Sequence, residues 1–406
     1  MTSSHRQLFG VSTMAATTAQ LRVCLLAVFF ICILMLARRQ AEILSFSRSL
    51  RTWDPTRTNE AGHTRVSSMS VGEASLDDVG NATLGFAKIY ALSLPSRHDR
   101  RDGIALQAAF TDLSIDFADG LDGASVTEKS LPKTKENVTA IQGGELGAWR
   151  GHANIWREIV QRNLGSALIM EDDSDWDLRI KKQFRDLALA TRALVQPRVV
   201  PADEEEGDEL AFDKLPETKP PTQSPYGDDW DIIWAGHCGQ VFPKSRRPKK
   251  RVIQLGDETV PQKKWLWKPF YNPVTLKEKY PEHTRAYHHS EEAVCTLGYA
   301  VSQRGARKLL REVAMQTPVL PCDLLVRSFC EGTGGLGPGL CITTQPPLIN
   351  SHWPRGPYRD QSNIRLEEPG FRKKAETRIT RWSARINAGA LLEGKDPIDG
   401  WPDEEA

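Results

Sequence analysis

The stretch Ser166-Ala-Leu-Ile-Met-Glu-Asp-Asp173 joins a short apolar run directly to three carboxylic acids. The apolar part predicts a buried β-strand, because a short continuous apolar run is typical of a strand that is covered on both faces. In extended backbone Glu171 and Asp173 point the same way, and Asp172 points opposite. Adjacent carboxylates repel one another, so a folded protein tolerates them best where a cation or hydrogen-bond donors neutralise them.

Carboxylate oxygens at this spacing suit Mg²⁺ or Mn²⁺, with a diphosphate completing the coordination shell. We therefore expect Glu171 and Asp173 to be metal ligands. The other interpretation is an acidic turn between a strand and a helix, in which Asp173 or Ser174 caps the helix. Asp175 and Asp177 extend the cluster of acids, so the spacing alone does not assign individual ligands.

Strands and helices are predicted to alternate through the folded region. The predicted strands are Lys88–Leu94, Ile115–Asp119, Ser166–Met170, Asp231–Gly236 and Thr296–Val301, and the predicted helices run from Ser96 to Phe110, from Glu145 to Asn163 and onward from Ser302. Ser96 with Asp99 three residues later predicts a capping box at the first helix, and Ser302 is expected to cap the last one. Alternation of this kind predicts an α/β sandwich with a mostly parallel sheet. Ligands of such sheets bind beyond the carboxyl ends of the strands, which is where the three acids lie.

A group of arginines follows the first predicted strand. Arg97, Arg100 and Arg101 lie within one helical turn of each other, at a strand-to-helix junction. This position suits contact with phosphate or with a nucleotide. The alternative is a solvated basic face of the helix.

Two further residues are candidates for proton transfer. His152 lies on the same side of its predicted helix as Trp149 and Trp156, so it is either a satisfied core histidine or a catalytic one. Asp323 is a lone acid after Leu320-Pro-Cys322, and nothing in its own neighbourhood would single it out.

The N-terminal region predicts a membrane anchor. Residues 21–37 form an apolar segment that would span little more than about 20 Å as a helix, which fits a signal anchor in a thin early-secretory membrane or a signal-peptide core. We expect residues 1–20 to be a cytoplasmic tail and residues 38–84 to be a stem, since the latter are rich in Ser, Thr, Arg and Gly. The arginines after the segment would place its C-terminal side in the cytosol, whereas the sequons Asn81-Ala-Thr83 and Asn137-Val-Thr139 are useful only in a lumen.

Composition and charge argue against a nucleic-acid-binding protein. The 406 residues carry a formal net charge of +1, without the basic stripe of a nucleic-acid-binding protein.

Of the 7 cysteines, Cys330 and Cys341 flank a glycine-rich stretch and could close a small loop in an oxidising compartment. Residues 85–365 are expected to form the globular domain, with an acidic and proline-rich surface insertion at 198–226 and a polar tail at 366–406.

Taken together, several stretches resemble glycosyltransferase family 25, a group that includes lipooligosaccharide and procollagen galactosyltransferases. They occur in the order of the family's motifs: Ala91-Leu-Ser-Leu-Pro-Ser-Arg-His-Asp-Arg-Arg101, Gly144-Glu-Leu-Gly-Ala-Trp-Arg-Gly-His152, Ala167-Leu-Ile-Met-Glu-Asp-Asp173, Tyr299-Ala-Val-Ser-Gln-Arg-Gly-Ala306 and Gln345-Pro-Pro-Leu-Ile-Asn-Ser-His352. The stretch Tyr226-Gly-Asp-Asp-Trp-Asp-Ile-Ile-Trp-Ala-Gly-His-Cys-Gly239 resembles the fungal branch of this family in particular. The resemblance covers residues from about 87 to 364.

The resemblance implies a GT-A fold, a Rossmann-like nucleotide-sugar-binding sandwich, and an inverting transfer of a sugar, often galactose from UDP-galactose. It implies that Glu171, Asp172 and Asp173 form the site for the metal and the donor diphosphate, with Arg97 and Arg101 near the nucleotide. His152 takes the place of the family's histidine and Asp323 that of a later acid. The expected cellular setting is the Golgi or endoplasmic reticulum membrane, in a single-pass type II arrangement with a luminal catalytic domain.

Departures from the family's pattern accompany these matches. Ser93, Ala148 and Gly151 stand where many members have Asn, Cys and Ser, and Gln361-Ser-Asn-Ile364 replaces a usual Asp-Ser-Asp-Ile. They keep open the hypothesis of a catalytically silent protein that binds nucleotide sugars.

The expected chemistry follows from charge. Cleavage of the sugar–phosphate bond leaves a diphosphate anion that a metal can stabilise, and the acceptor hydroxyl, on a glycan or glycoprotein, needs a base. Asp323 is the predicted base, and Asp172 and His152 are its rivals. A metal-dependent phosphohydrolase could use the same acidic strand end.

Overall fold

The computed structural model describes residues 74–134, 139–201, 207–244, 247–266, 276–364 and 369–404, which belong to one compact unit, Ser70–Ala406. The predicted tail and anchor, residues 1–37, lie outside this part of the chain, as does Asn137 of the second sequon. Among the described helices, none has the length and apolar character needed to cross a bilayer. The folded unit begins before residue 85, since Val79 and Leu84 are already part of its core.

The predicted strands and helices form, most of them within two residues of their expected bounds. The strands are β1 Lys88–Ser93, β2 Asp116–Asp119, β3 Ser166–Glu171, β4 Ser174–Trp176, β5 Glu209–Ala211, β6 Ile232–Gly236, β7 Arg251–Gln254, β8 Arg285–His289, β9 Gly298–Ser302, β10 Cys341–Gln345, β11 Ile349–Trp353, β12 Gly356–Pro357, β13 Phe371–Arg372 and β14 Glu376–Thr377. The helices are α1 His98–Phe110, α2 Gly143–Gln161, α3 Ile180–Val195, α4 Leu276–Lys279, α5 Gln303–Leu309, α6 Cys322–Glu331 and α7 Ala388–Leu392, and a π-helical turn, Leu310–Ala314, extends α5.

The main sheet has the strand order β2-β1-β3-β9-β6-β10-β8-β7-β5. Seven of these nine strands run in the same direction, and β9 and β8 run opposite to them. Near the carboxyl end of β6, β11 pairs with β4 and with β14. The prediction of an α/β protein with a mostly parallel sheet is therefore confirmed.

Alternating side chains of the central strands enter two separate hydrophobic cores. In β3, Leu168 and Met170 pack with α1 and α3 on one face, whereas Ala167 and Ile169 pack with α2, α5 and α6 on the other. A strand with a helical layer on each face must be apolar at every position, which explains its unbroken apolar run. The same run then carries the three acids out of the core at the strand's carboxyl end.

Two local expectations had different outcomes at the starts of helices. The predicted cap at Ser302 is confirmed, since its hydroxyl accepts a hydrogen bond from the Gly305 amide. The predicted capping box at Ser96 is wrong: α1 begins at His98 after Arg97, which makes no side-chain cap. Arg97 bonds Asp99 instead, so the acid expected to complete the box is already occupied.

The expected surface insertion and the expected polar tail both contribute to the core of the folded unit. Within the expected insertion, 198–226, β5 joins the sheet edge beside β7, and Tyr226 is fully buried against Phe86. From the expected tail, 366–406, Ala384 is fully buried and Ser383 and Asn387 nearly so. The C-terminal segment also bonds distant parts of the chain, since Thr377 and Ser383 donate to Asp175 and Arg385 donates to Gln107.

Cysteine pairing follows the expectation for an oxidising compartment. Cys330–Cys341 forms the predicted disulfide across the glycine-rich loop. A second disulfide, Cys238–Cys295, joins the segment after β6 to the segment before β9. Cys322 is buried as a free thiol.

A buried ion pair links the second half of the sheet to the loop after β10. Arg285 in β8 donates to Asp257 at 2.6 Å, to the Thr259 hydroxyl at 3.0 Å and to the Pro346 carbonyl at 2.5 Å. Burial alone would raise the pKa of Asp257, but the charge and hydrogen bond of Arg285, together with the bonds from Thr259, lower it to about 2.

We predict that Asp257→Ala lowers the free energy of unfolding at pH 7 by about 3–5 kcal/mol, because it leaves the Arg285 charge buried without its partner. Urea denaturation measures this loss. The pKa of Asp257 is depressed in the folded state, so its contribution is present above about pH 4 and is lost as the pH falls towards 2.

The matched control is Asp77→Ala, which removes an exposed carboxylate paired with Arg185 at 3.1 Å and should cost about 0.5 kcal/mol or less. An equal loss in the two variants, or a loss from Asp257→Ala that persists unchanged at pH 2, would show that the buried pair is not the source.

Candidate functional site

The three acids lie at the carboxyl end of β3, where the sequence places them. Asp172 is buried and faces β1 and α1, where it accepts a 2.8 Å hydrogen bond from the Ser93 hydroxyl and pairs with Arg100. Ser93 is one of the departures from the family's pattern, and here it holds the middle acid of the trio. Arg100 also lies 3.9 Å from Asp173, so one guanidinium serves two carboxylates.

Glu171 has an environment that disfavours its ionised form. Burial, followed by the negative charge of Asp173, raises the pKa of Glu171 to about 8. Its partner is the Thr296 hydroxyl, which donates to Oε1 at 2.6 Å. A carboxyl group in this state gains most from a cation that lies close enough to compensate the surrounding negative charge.

Asp173 has an unmet hydrogen-bonding requirement. Its Oδ1 atom is buried and has no hydrogen-bond partner within the described residues. Burial raises the pKa of its carboxyl group, although the charge of Arg100 acts in the opposite direction. The backbone of the turn after β3 is hydrogen-bonded to β11, because the His352 amide donates to the Asp173 carbonyl at 2.7 Å.

These features fit a divalent cation held by two carboxylates. The described part of the chain contains no group of three or more His, Cys, Asp or Glu side chains arranged to hold a metal by themselves. Mg²⁺ and Mn²⁺ sites of phosphate-transferring enzymes commonly use only one or two carboxylates and take their other ligands from the phosphates and water. The unpaired Oδ1 atom of Asp173 and the raised pKa of Glu171 are consistent with a metal site that uses two carboxylates.

The two arginines predicted to contact the nucleotide are engaged with protein groups. Arg97 forms a bidentate pair with Asp99 at 2.9 and 2.8 Å and also donates to the Asn363 side chain. Arg101 donates to Asp119 at 2.5 Å and to the Ser93 carbonyl at 2.9 Å. Both lie at the junction of β1 and α1, on the same side of the acids as Arg100.

His152 lies behind Glu171 and away from solvent. It is 1% exposed, and burial lowers its pKa to about 4, so the ring is neutral at pH 7. The Tyr299 hydroxyl accepts from Trp156 at 3.0 Å, so its own proton is directed at His152 Nδ1, 2.9 Å away. His152 Nε2 lies 3.9 Å from Glu171 Oε1, so Glu171 is the acid of the trio that the ring faces.

Asp323 is brought to the site by the segment before β9. Its Oδ2 accepts from the Cys295 amide at 2.8 Å, and its Oδ1 accepts from the Leu324 amide at 2.9 Å. The neighbouring Thr296 bonds Glu171, and the negative charge of Asp323 contributes to the raised pKa of that residue. The disulfide Cys238–Cys295 anchors the same segment.

The sequence provided no local signal for two contributors, Thr296 and Arg385. Arg385, from the expected tail, donates to Gln107 at 2.7 Å and reaches the Asp172 and Ser174 carbonyls at 3.4 Å each. Its positive charge acts on the trio from the side opposite the β9 segment. This contact forms because the C-terminal segment folds back against the turn, so the neighbours of Arg385 in the sequence do not indicate it.

Asp175 follows the trio by two residues in the sequence, but its side chain points into a different environment. It is fully buried and accepts hydrogen bonds from Gln107 at 2.7 Å, from Thr377 at 2.5 Å and from the Ser383 hydroxyl. All these partners belong to α1 or to the C-terminal segment. Asp175 is thus a structural group that joins that segment to the turn.

Residues 86–195 match the family model described as Glycosyltransferase family 25 (LPS biosynthesis protein). The matched region contains β1, α1, α2, β3 and the three acids. Thr296, Asp323 and Arg385 lie outside it.

Curated relatives extend the similarity over more of the chain. Procollagen galactosyltransferase 1 of Danio rerio is 25% identical over 250 residues, which is 59% of this chain and 31% of that protein. Procollagen galactosyltransferase 1-B of Xenopus laevis is 26% identical over 252 residues, 59% of this chain and 30% of that protein. A Bos taurus protein named probable inactive glycosyltransferase 25 family member 3 is 25% identical over 250 residues, 59% of this chain and 31% of that protein. The chain therefore spans about a third of the length of these relatives.

We predict opposite effects on stability for two neighbouring acids. Asp175→Ala should lower the free energy of unfolding by about 3–5 kcal/mol, because several buried donors lose their acceptor at once. Asp173→Ala should leave stability unchanged or slightly raised, because it removes a carboxylate that its neighbours repel. Urea denaturation of both variants at pH 7 without added metal measures the difference, and a comparable loss in the two would contradict the assigned roles.

Proposed function

We propose that the protein transfers a sugar from a nucleotide-sugar donor to a hydroxyl group of a glycan or glycoprotein, since residues 86–195 match the model of glycosyltransferase family 25. UDP-galactose is the proposed donor, since the named activity of the procollagen relatives is galactosyl transfer. The observation that carries the proposal is the trio at the carboxyl end of β3, whose carboxylates are only partly neutralised by protein groups. A GT-A fold and inversion at the sugar carbon are part of the same proposal.

In the proposed site Glu171 and Asp173 hold Mn²⁺ or Mg²⁺, and Asp172 is kept in place by Ser93 and Arg100. The cation would supply positive charge to the diphosphate that leaves when the sugar–phosphate bond breaks. Arg100 adds a fixed positive charge on the same side of the acids. Arg97 and Arg101 can reach a nucleotide only by exchanging their present partners for it.

Asp323 is the proposed base for the acceptor hydroxyl. Its carboxylate is half-buried, is oriented by two backbone amides, and lies on the β9 side of Glu171, away from the arginines. The two alternative candidates for the base, Asp172 and His152, are less accessible to an acceptor. Asp172 is paired with Arg100, and His152 is buried behind Glu171.

We propose the lumen of the endoplasmic reticulum or Golgi as the location, with residues 21–37 as the membrane anchor. Two disulfides support an oxidising compartment. The sequon Asn81-Ala-Thr83 is consistent with it, because Asn81 is exposed and uses its side-chain oxygen, not its nitrogen, in bonds to Thr83 and Gly85.

The decisive experiment is a screen of radiolabelled nucleotide sugars with the purified chain, with and without Mn²⁺, that records both donor hydrolysis and transfer to procollagen. We expect transfer from UDP-galactose that depends on the metal. Asp173→Ala should reduce turnover by roughly 100-fold or more, because the charge that stabilises the leaving diphosphate is lost.

Asp112→Ala is the control, since Asp112 is an exposed acid paired with Lys181 away from the trio. Near-normal transfer by Asp173→Ala under metal-limited conditions would refute its role as a ligand. A donor consumed equally fast without any acceptor would favour a metal-dependent phosphohydrolase.

A silent nucleotide-sugar-binding protein is the second candidate, and the inactive designation of one relative favours it. A ligand that binds only the native state raises its thermal stability. Thermal stabilisation by Mn²⁺ plus UDP without turnover of any donor would select the silent protein over the enzyme.

A further inference from the structure

A cavity of about 60 Å³ lies beside the acidic trio, on the side away from Arg97 and Arg101. It opens at the ends of β6, β10 and β11, and its lining includes Leu297 and Ser351. The Leu297 carbonyl accepts hydrogen bonds from the Glu171 amide at 3.1 Å and from the Ser174 hydroxyl at 2.6 Å. Ser351 is paired in register with Ser174. The cavity wall and the acidic turn are therefore parts of one hydrogen-bonded structure.

Gln345 presents a hydrogen-bond acceptor at this cavity. His288 Nδ1 donates to the His289 carbonyl at 2.7 Å, so the other ring nitrogen of the neutral His288 is an acceptor. The Gln345 amide nitrogen donates to that nitrogen at 2.8 Å. This bond fixes the orientation of the amide, and within the described residues its oxygen has no hydrogen-bond partner.

Asn350 presents a second acceptor in the same way. Its amide nitrogen donates to the Thr380 hydroxyl at 3.0 Å and points towards the Pro347 carbonyl at 3.5 Å. A carbonyl can only accept, so the nitrogen is assigned to that side, and the oxygen is left without a partner among the described groups. Gln345 and Asn350 are 8% and 5% exposed, so both amides are held rigidly at the cavity.

The described residues that line the interior of the cavity carry no charge at neutral pH. They include no Asp or Glu, and burial lowers the pKa of His237 to about 4. Arg378 is exposed at the edge, and the remaining surface includes Pro346, Pro347 and the half-buried ring of Trp353. A neutral pocket with hydrogen-bond acceptors and an aromatic wall does not suit a diphosphate or a metal ion. It suits a neutral ligand that donates from hydroxyl groups and has an apolar face.

We propose that this cavity binds a monosaccharide unit of the acceptor, with sugar hydroxyls donating to the free oxygens of Gln345 and Asn350. The inference rests on the proposed glycosyltransferase function and assigns its acceptor class. One ordered water requires about 10–15 Å³ of such volume, so the cavity holds roughly four to six waters, which is room for one sugar unit. The donor then lies on the arginine side of the acids and the acceptor on the neutral side.

The test uses the full chain and the donor identified in the nucleotide-sugar screen, with methyl glycosides of galactose, glucose and mannose as acceptors. Gln345→Met and Asn350→Leu should each raise the KM for the preferred glycoside by roughly five- to ten-fold, the effect expected of one neutral hydrogen bond. The KM for the donor, measured from its hydrolysis without acceptor, should not change. Trp353→Leu, at the less buried edge of the cavity, should raise the same acceptor KM.

Gln183→Met is the matched control, because Gln183 is a buried amide that donates to Thr259 at 2.9 Å outside the cavity. It should leave both KM values unchanged. An unchanged acceptor KM in the cavity variants, a raised donor KM, or transfer to a peptide hydroxyl but to no glycoside would overturn the assignment.

Saturation-transfer NMR of the same methyl glycosides, with Mn²⁺ and UDP present, provides a readout that needs no turnover. Wild type should give a signal that Asn350→Leu loses and Gln183→Met keeps, and equal signals in all three would overturn the inference. Absence of any donor turnover by wild type, with this NMR pattern retained, would reject the proposed enzyme while leaving the sugar-binding cavity supported.

Discussion

Mutual repulsion between three carboxylates at the end of one buried strand is the constraint around which this part of the molecule is arranged. A strand covered on both faces can be apolar throughout, but the acids that follow it must be neutralised where the strand leaves the core. Arg100 balances Asp172, while the Thr296 hydroxyl and the neutral ring of His152 lie against Glu171. The ionised forms of Glu171 and Asp173 remain disfavoured by burial and by the neighbouring carboxylates, and a cation would relieve both.

The groups around this turn come from four distant parts of the chain. Arg100 follows β1, Thr296 precedes β9, His352 lies in β11, and Arg385 lies close to the C-terminus. The C-terminal segment is attached to this turn by hydrogen bonds from Thr377 and Ser383 to Asp175 and from the Ala384 amide to the Trp176 carbonyl. A family match over residues 86–195 therefore covers the acids and Arg100 but not most of the residues that surround them.

The surroundings of the trio divide it into two chemically different sides. Towards β1 and α1 the neighbours are arginines and acids, whereas towards β10 and β11 they are amides, prolines and an aromatic ring, with Arg378 at the edge. In the proposed enzyme this division would separate the charged donor from the neutral acceptor. The disulfide Cys238–Cys295 joins the cavity wall, through Cys238, to the segment that carries Thr296.

The sequence by itself determined five strands, β1, β2, β3, β6 and β9, the helices α1, α2 and α5, and the position of the acids at the end of β3. These features depend on the periodicity of apolar residues and on chain neighbours, which a sequence displays directly. It also indicated Arg97, Arg101, His152 and Asp323 through family resemblance, without showing what each contacts. Only the tertiary structure decided that Asp175 bonds the C-terminal segment, that Arg385 approaches the acids, and that Gln345 and Asn350 line one cavity with their amide nitrogens hydrogen-bonded. Each of these depends on hydrogen bonds between residues far apart in the chain, and polar residues in irregular segments carry no periodic signal from which such partners can be inferred.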